Sequence, residues 1–452
     1  MKNEKLVFTI DLGTGGPKVA ISNTKGQIIA HAFRETPVEL TDDGGAEQKT
    51  ALWWDAICNA SKEVLYKSSV KPENISAIAS TAQWSGTVAV DKEGKALMNA
   101  LIWMDSRGAE EVKRITKGFP KFEGYGLSKL LTWLRLTGGV PTQSGKDSIA
   151  HILYIQKNYP EIYNKTWKFL EPKDYINLKL TGEALATFDS ITMHWLTDNR
   201  DINNIQYSDK LLRLSGVDRE KCPDLVKATD IIGKLNRSAA LDLGLPEGIP
   251  VIGGTPDLHS AALGSGAVKD FEGHLYIGTS SWMLAHVPWK KTDIFHNMAS
   301  LPSPLPGRYL YSNEQESAGN CLTWMKDNVL FHADDLAEEA NCANAYEFMD
   351  KICQSTKAGA GKVLFSPWLY GERTPVEDHT LRGGFHNMSL KTTHNDLIRS
   401  VFEGVAFNSR WLMLHLEKGL KHQFPHLNFI GGGANSDIWS QIYADILNRP
   451  IR

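Results

Sequence analysis

The 452-residue chain is short of several features that would place it in a class directly. It has five cysteines, Cys58, Cys222, Cys321, Cys342 and Cys353. Their number is odd and no C-x-x-C pair occurs, which excludes a zinc ribbon or a disulfide framework and predicts reduced thiols in a cytoplasmic protein. No apolar run approaches the roughly 18 residues of a membrane span. The apolar part of the opening MKNEKLVFTID is too short for a secretory signal. Charge of one sign is missing too. A formal net charge of -3, from 49 basic and 52 acidic residues, offers no basic face to nucleic acid or to an anionic membrane. The phosphate loop G-x-x-x-x-G-K-[ST] is absent, because Gly145-Lys146 and Gly361-Lys362 lack both the upstream glycine and the hydroxyl residue. H-E-x-x-H and G-x-S-x-G are absent as well.

What is present reads as a soluble α/β protein. The composition, 42% hydrophobic and 22% charged, is that of an ordinary globular chain, and the length exceeds what one core usually supports. Strand patterns at KLVFTID, PKVAIS and QIIAHAF precede a helix pattern from 50 to 68. Strands ISAIAST and TVAVD follow. The stretch from about 120 to 215 reads as mostly helical. Pro246, Gly248 and Pro250 punctuate GLPEGIPVIGG, which predicts a boundary between domains 1–247 and 248–452. The order then repeats, with a helix near 257–265, strands near 274–279 and 282–287, helices near 317–329 and 394–416, and a final strand LNFIGGG and helix SDIWSQIYADILN. Two similar halves are expected.

The repeat extends to a small motif. Leu12-Gly13-Thr14 aligns with Ile277-Gly278-Thr279, and each is followed by two small residues and an apolar run. A strand that turns through small residues presents bare backbone N–H groups, which bind phosphate oxygens. An adjacent acid suits Mg²⁺ held through water, and one ion needs one acid, in keeping with Asp11 standing in the first copy alone. The same string also makes an ordinary tight turn; the second copy favours phosphate. IGGGANSD, 430–437, follows a strand and opens a helix, as a nucleotide's phosphate or ribose requires, without the G-x-G-x-x-G spacing.

Several separated blocks together resemble the FGGY carbohydrate kinase family. DLGTGGPK and YIGTSSW resemble its two phosphate hairpins, TAQWSGTV and IWMDSRG its sugar-binding stretches, and EPKDYINLKLTGE a helical block of its first domain. GGTPDLHSAALGSGAV resembles the segment with the catalytic acid, SAGNCLTWMKD the stretch after the second hairpin, FSPWLYGERTP and LRGGFHNMSLKTTHNDLIRSVFEGVAF the second signature, and GGGANSDIWSQIYADILNRPI the adenosine-binding turn and helix. The chain departs from the family at Gly15-Gly16-Pro17, where hydroxyl residues are common and Pro17 removes one N–H. It departs again at His151 and Tyr154, where the first signature has Lys and Trp, and at Asn387, where Gly is usual.

The resemblance implies two ribonuclease H-like (actin-like) domains, mixed sheets flanked by helices with an active-site cleft between them. It implies ATP- and Mg²⁺-dependent transfer of a γ-phosphate to a small sugar. On the similarity around 81–107, that sugar is a ketopentose such as D-xylulose. Ribulose, a hexulose, gluconate or a deoxysugar, and a non-catalytic sensing role, are the alternatives. Trp84-Ser85 stand where glycerol kinases have Arg-Glu, against glycerol. By position alone Asp257 is equally a helix cap; the resemblance makes it the general base. It places Asp11 on Mg²⁺, and Thr14, Gly15, Gly278, Thr279 and Ser280 on phosphate. Gly319, Gly433 and Asn435 then lie near base and ribose, and Gln83, Trp84, Asp105 and Arg107 on the sugar. Asp105 with Arg107 equally reads as a surface ion pair, and Trp84 as core packing. Small-molecule sugar and ATP are the expected partners, with no nucleic acid, no membrane and a homodimer. Similar family members continue past LNRPIR, so the second domain is expected to be cut short and the apolar face of Ile438–Leu447 to lack cover.

Overall fold

Alternation in LVFTIDLG drives the first strand: Leu6, Phe8, Ile10 and Leu12 are buried and the residues between them half-buried. The computed structural model describes residues 5–330 and 344–452. Strand β1 (Leu6–Gly13) turns into β2 (Gly16–Asn23) and then β3 (Ile28–Phe33). β1 pairs antiparallel with β2 and parallel with β4 (Ile75–Ala82). A parallel pair needs a crossover, which helix α1 (Thr50–Ser68) supplies with Trp53, Ile57, Ala60 and Val64 buried. β5 (Ile231–Lys234) and β6 (Pro250–Ile252) complete a six-stranded sheet of order β5-β6-β4-β1-β2-β3. Phe8, Ile10, Trp53, Ile78 and Val251 share its core.

From 120 to 215 helix is the main regular element, as expected, with Leu127–Leu136, Pro160–Lys165 and Asp209–Ser215 among the helices. α2 (Ser148–Asn158) and α3 (Pro172–Thr181) form there. Short ladders interrupt the helices: Val88–Val90 with Lys168–Leu170, and Leu185–Thr187 with Asp224–Val226. Such pairs join residues far apart in sequence, and local periodicity carries no trace of them.

α4 (Asp257–Gly264) leads to the second sheet, β7 (Gly273–Ile277), β8 (Ser281–Val287), β9 (Thr292–Asp293), β10 (Met298–Pro302), β11 (Tyr309–Ser312) and β12 (Leu427–Ile430), in the order β9-β10-β11-β8-β7-β12. β7 is antiparallel to β8 and parallel to β12, as β1 is to β2 and β4. The two halves therefore repeat one topology. α5 (Gly319–Met325), α6 (His394–Leu420) and α7 (Asp437–Leu447) belong to the second half. A capping box of Thr393 and Asp396 starts α6.

By contacts the chain divides into two compact units, one reaching Ser260 and including Leu301–Arg308, the other Ala261–Ser300 with Tyr309–Arg452. The boundary read at 247/248 precedes β6, which pairs with β4 and β5, so Asp257 lies in the first unit. The bare face expected on the last helix is also corrected. Trp439, Ile442, Tyr443 and Leu447 are buried. Trp439 Nε1 donates to the Phe402 carbonyl of α6 at 3.1 Å, and the Phe429 ring of β12 lies 5.4 Å from Tyr443. Cys58, Cys222, Cys321 and Cys353 are free and buried; burial raises Cys58 to about 11 and Cys222 and Cys353 to about 12. Cys342 lies outside the described residues. Among the described residues no helix is long and apolar enough to cross a membrane.

Neighbouring glycines of the first hairpin make separate demands. Gly16 has φ +130°, and a Cβ there would lie 2.0 Å from the Arg34 carbonyl oxygen, while one on Gly15 meets nothing within 4 Å. Gly16→Ala is expected to lower unfolding free energy by at least about 1–3 kcal/mol, and Gly15→Ala to leave it within about 0.5 kcal/mol, by urea denaturation.

Candidate active site

In the first unit, the short strand Ala46–Gln48 gathers the expected residues. It follows Gly44-Gly45 and pairs with Ala100–Leu101. The Ala46 N–H donates to Asp105 Oδ2 at 3.0 Å. Glu47 Oε1 accepts from Arg107 Nη2 at 2.7 Å. Gln48 Oε1 accepts from Gln83 Nε2 at 2.8 Å, and Gln48 Nε2 donates to the Thr14 carbonyl at 2.9 Å. Glu47 and Gln48 were not found by sequence reasoning, since a two-residue acid–amide step carries no motif.

Gln83 stands behind the hairpin rather than open to solvent. It is buried, its Oε1 accepts from Thr14 Oγ1 at 3.1 Å, and its N–H donates to the Leu12 carbonyl at 2.8 Å. Trp103, partly exposed, donates its indole N–H to Thr14 Oγ1 at 2.9 Å. Asp11 lies opposite Lys18 in the ladder and pairs with it at 3.1 Å. That pair is exposed and is worth at most about 1 kcal/mol, so both groups can turn to a ligand. Lys18 is a further cation at the tip that the sequence did not single out.

Asp105 and Arg107 do not form a surface pair. Their side chains are 0% and 8% exposed, with Nη2 to Oδ2 at 2.6 Å. Burial alone would lower the pKa of Arg107, but hydrogen bonds to Asp105 and Glu47 outweigh it and hold the group above its ordinary value. Two departures from the first signature lie behind this pair. The Arg107 guanidinium sits 4.8 Å from the centre of the Tyr154 ring, and His151 Nε2 lies 3.1 Å from the Asp105 carbonyl. At the third departure the backbone permits the replacement of Gly by Asn. Asn387 has φ +63°, a region Asn tolerates better than most residues.

Trp84 is half-buried. Its indole N–H donates to the Ser190 carbonyl at 2.9 Å, and its ring meets His259 edge-on at 5.0 Å. His259 belongs to α4, whose first residue is Asp257. Asp257 is exposed and its Oδ1 accepts from the Leu258 N–H at 2.7 Å. Trp84 and the helix of Asp257 are thus in contact.

The second unit brings together the other expected residues. The β7–β8 tip closes at Ile277 opposite Ser281 over Gly278-Thr279-Ser280, whereas the first tip closes at Gly13 opposite Gly16 over Thr14-Gly15. The alignment of Gly13 with Gly278 thus joins a ladder residue to a loop residue. The Gly319 N–H donates to the Gly278 carbonyl at 2.8 Å, and the Ala318 N–H to that of Thr279 at 3.0 Å. Gly433 packs on Ile277, and Asn435, exposed, ends the turn before α7. Loop backbone and the start of α5 lie side by side.

A family model described as the FGGY family of carbohydrate kinases, N-terminal domain, matches residues 6–264, and its C-terminal counterpart matches residues 274–452. The chain belongs to this family. It is an ATP-dependent carbohydrate kinase. A xylulose kinase of Staphylococcus epidermidis is 28% identical to this kinase over 99% of the chain and 84% of the relative. A solved xyloylose kinase from Brucella ovis is 25% identical with TM-score 0.84, covering 99% of this chain and 86% of that one. A gluconate kinase from Lactobacillus acidophilus shares the fold at TM-score 0.83 and 23% identity, over 99% and 85% of the two chains.

Glu171, at the entry to α3, backs the loop after Trp84 of the kinase. It is buried, accepts from the Gly86 N–H at 3.1 Å, and is bonded to the Ser148 hydroxyl. Burial raises its pKa well above the ordinary 4.5, while the His194 imidazole 3.7 Å away is pushed down to about 3. The native state therefore keeps a proton that the unfolded chain loses above pH 4.5, so this group's contribution to stability falls as pH rises through that window. Glu171→Gln should remove that fall. Urea unfolding of both proteins from pH 5 to 8 should show wild type losing ground to the variant as pH rises.

Proposed function

We propose that this kinase phosphorylates a ketopentose such as D-xylulose, with Asp257 as general base. The carrying observation is the turn at Gly253–Pro256, which delivers the exposed Asp257 carboxylate at the start of α4, on the helix that Trp84 contacts through His259. As the sugar oxygen attacks the γ-phosphorus in line, its O–H proton passes to Asp257, the bond from phosphorus to the β–γ bridging oxygen breaks, and ADP leaves. The Asp105–Arg107–Glu47 cluster supplies oxygens and N–H groups suited to sugar hydroxyls, with Gln83 holding the hairpin beside it. Thr14, Gly15, Gly278, Thr279 and Ser280 are assigned to phosphate, and Gly319, Gly433 and Asn435 to ribose and base.

Among the described residues no three metal-type side chains cluster, and Asp11 offers one partly exposed carboxylate. That set suits Mg²⁺, which binds one or two carboxylates together with phosphates and water. Asp11 would hold it, and when bound the ion offsets charge on the β- and γ-oxygens. The xylulose kinase relatives support the pentulose; the fold shared with a gluconate kinase leaves the choice to side chains. Buried free thiols support a cytoplasmic setting.

Kinetics with D-xylulose, ribulose, gluconate and glycerol should give the highest kcat/KM for D-xylulose; a higher value for gluconate would overturn the pentulose reading. Asp257→Asn should lower kcat by on the order of 10²–10⁴ with ATP affinity little changed, and wild-type turnover would remove the base assignment. Asp11→Ala should move the Mg²⁺ titration of activity to higher concentration while sugar affinity without nucleotide stays the same.

A further inference from the structure

We infer that Asp189 is a positioning residue of the transfer: through Thr255 it sets where the Asp257 carboxylate stands. The inference rests on the reading of Asp257 as the base. The chain enters α4 through Gly253-Gly254-Thr255-Pro256, and all but the proline are held by hydrogen bonds from outside the turn. The Gly253 carbonyl accepts from Lys173 Nζ at 2.9 Å and from Asn177 Nδ2 at 2.8 Å, both on α3. Lys173 is buried beside Asp174, its ion-pair partner. The Gly253 and Gly254 N–H groups donate to the carbonyls of Asp230 and Ala228 at 2.9 and 3.0 Å. Gly254 has φ +71°, and a Cβ there would lie 2.0 Å from the Ser80 carbonyl oxygen, so the turn is pressed against β4.

Thr255 makes the last of these contacts. Its hydroxyl donates to Asp189 Oδ2, and both residues are buried. Only Pro256 separates Thr255 from Asp257, and its ring fixes φ. Beyond Asp257 the next fixed point is His259, whose Nε2 lies 3.1 Å from the Pro302 carbonyl. The base is thus bracketed two residues to either side. Asp189 also has a neighbour with a second task. Ser190 accepts the Trp84 indole N–H at its carbonyl, and its hydroxyl donates to Asp174 at 2.7 Å. Consecutive residues therefore hold the sugar-side Trp84 and the base-side Thr255.

The test is steady-state kinetics of the full chain with D-xylulose or whichever panel sugar is turned over best, on Thr255→Val, Thr255→Ser, Asp189→Ala and the Asp189→Ala/Thr255→Val pair, beside Asp257→Asn. Thr255→Val should lower kcat roughly 10- to 100-fold, the scale of a misplacement of about 1 Å, with both KM values within about twofold. Thr255→Ser should recover most of the loss. The double variant should be no slower than the slower single, because both changes break one bond. If Thr255→Val melts below the assay temperature, the isosteric Asp189→Asn replaces it, and kcat lowered several-fold at unchanged KM supports the inference. Wild-type kcat in these variants, or a loss that appears equally in the sugar KM, overturns it while an inactive Asp257→Asn leaves the base in place. An Asp257→Asn as fast as wild type overturns the base reading and this inference with it.

Discussion

One buried hydrogen bond, from Gln83 Nε2 to Gln48 Oε1 at 2.8 Å, holds the first unit's candidate site together. A carboxamide taken out of water is costly unless its groups are bonded. Here the demand is met by joining three segments. Gln83 directly follows the core strand β4 and ties to Leu12 and Thr14 of the hairpin; Gln48 ties to Thr14 and, through Oε1, to the Trp53 indole at 3.2 Å. Hairpin tip, sheet and α1 are therefore tied together. The residues beside Gln48 extend the tie, since Ala46 and Glu47 hold Asp105 and Arg107. A strand presents successive side chains to opposite faces, so Glu47 and Gln48 serve different groups.

The two hairpins show how one topology takes different roles. Each has a first strand flanked by its antiparallel partner and by a parallel strand from later in the chain. The tips differ by one loop residue, and their settings differ more. The first is backed by side chains, Gln83 and Gln48, and carries the Asp11–Lys18 pair. The second is backed by main chain, with the N–H groups of Ala318 and Gly319 on its carbonyls. Pro17, which sequence alone treats as a lost donor, lies in the ladder opposite Leu12, outside the loop Thr14-Gly15.

Charge is divided by burial. Asp105 with Arg107, Lys173 with Asp174, and Arg399 with Glu403 are buried ion pairs; separating such a pair leaves a charge stranded and costs about 3–5 kcal/mol. Lys173 with Asp174 and Arg399 with Glu403 are fixed parts of the scaffold, while Asp105 with Arg107 is also held by the Ala46 N–H and Glu47 beside the hairpin. Asp11 and Asp257, to which chemistry is assigned, are at least partly exposed, where repairing with a ligand costs little. Of these fixed charges, Lys173 reaches the turn before Asp257, at the Gly253 carbonyl.

The α/β class, the duplicated hairpin, the family and most of the candidate site residues were legible in the amino-acid order. These rest on short-range signals: alternation in LVFTIDLG, helical spacing from 50 to 68, small residues at the tips, and blocks of adjacent residues. It also carried Asp257 and Asp11, because each sits inside such a block. What joins distant segments came from folding. Glu47 and Gln48 lie in no motif and gain meaning from residues at 83, 105 and 107. Asp189 meets Thr255 across 66 positions. The short ladders of 168–170 and 185–187 exist because remote strands complete them. β6 belongs to the first sheet although punctuation placed a boundary before it, and α6 covers the last helix. In each case the deciding energy is a hydrogen bond or a buried surface between segments whose separation along the chain leaves no periodic mark.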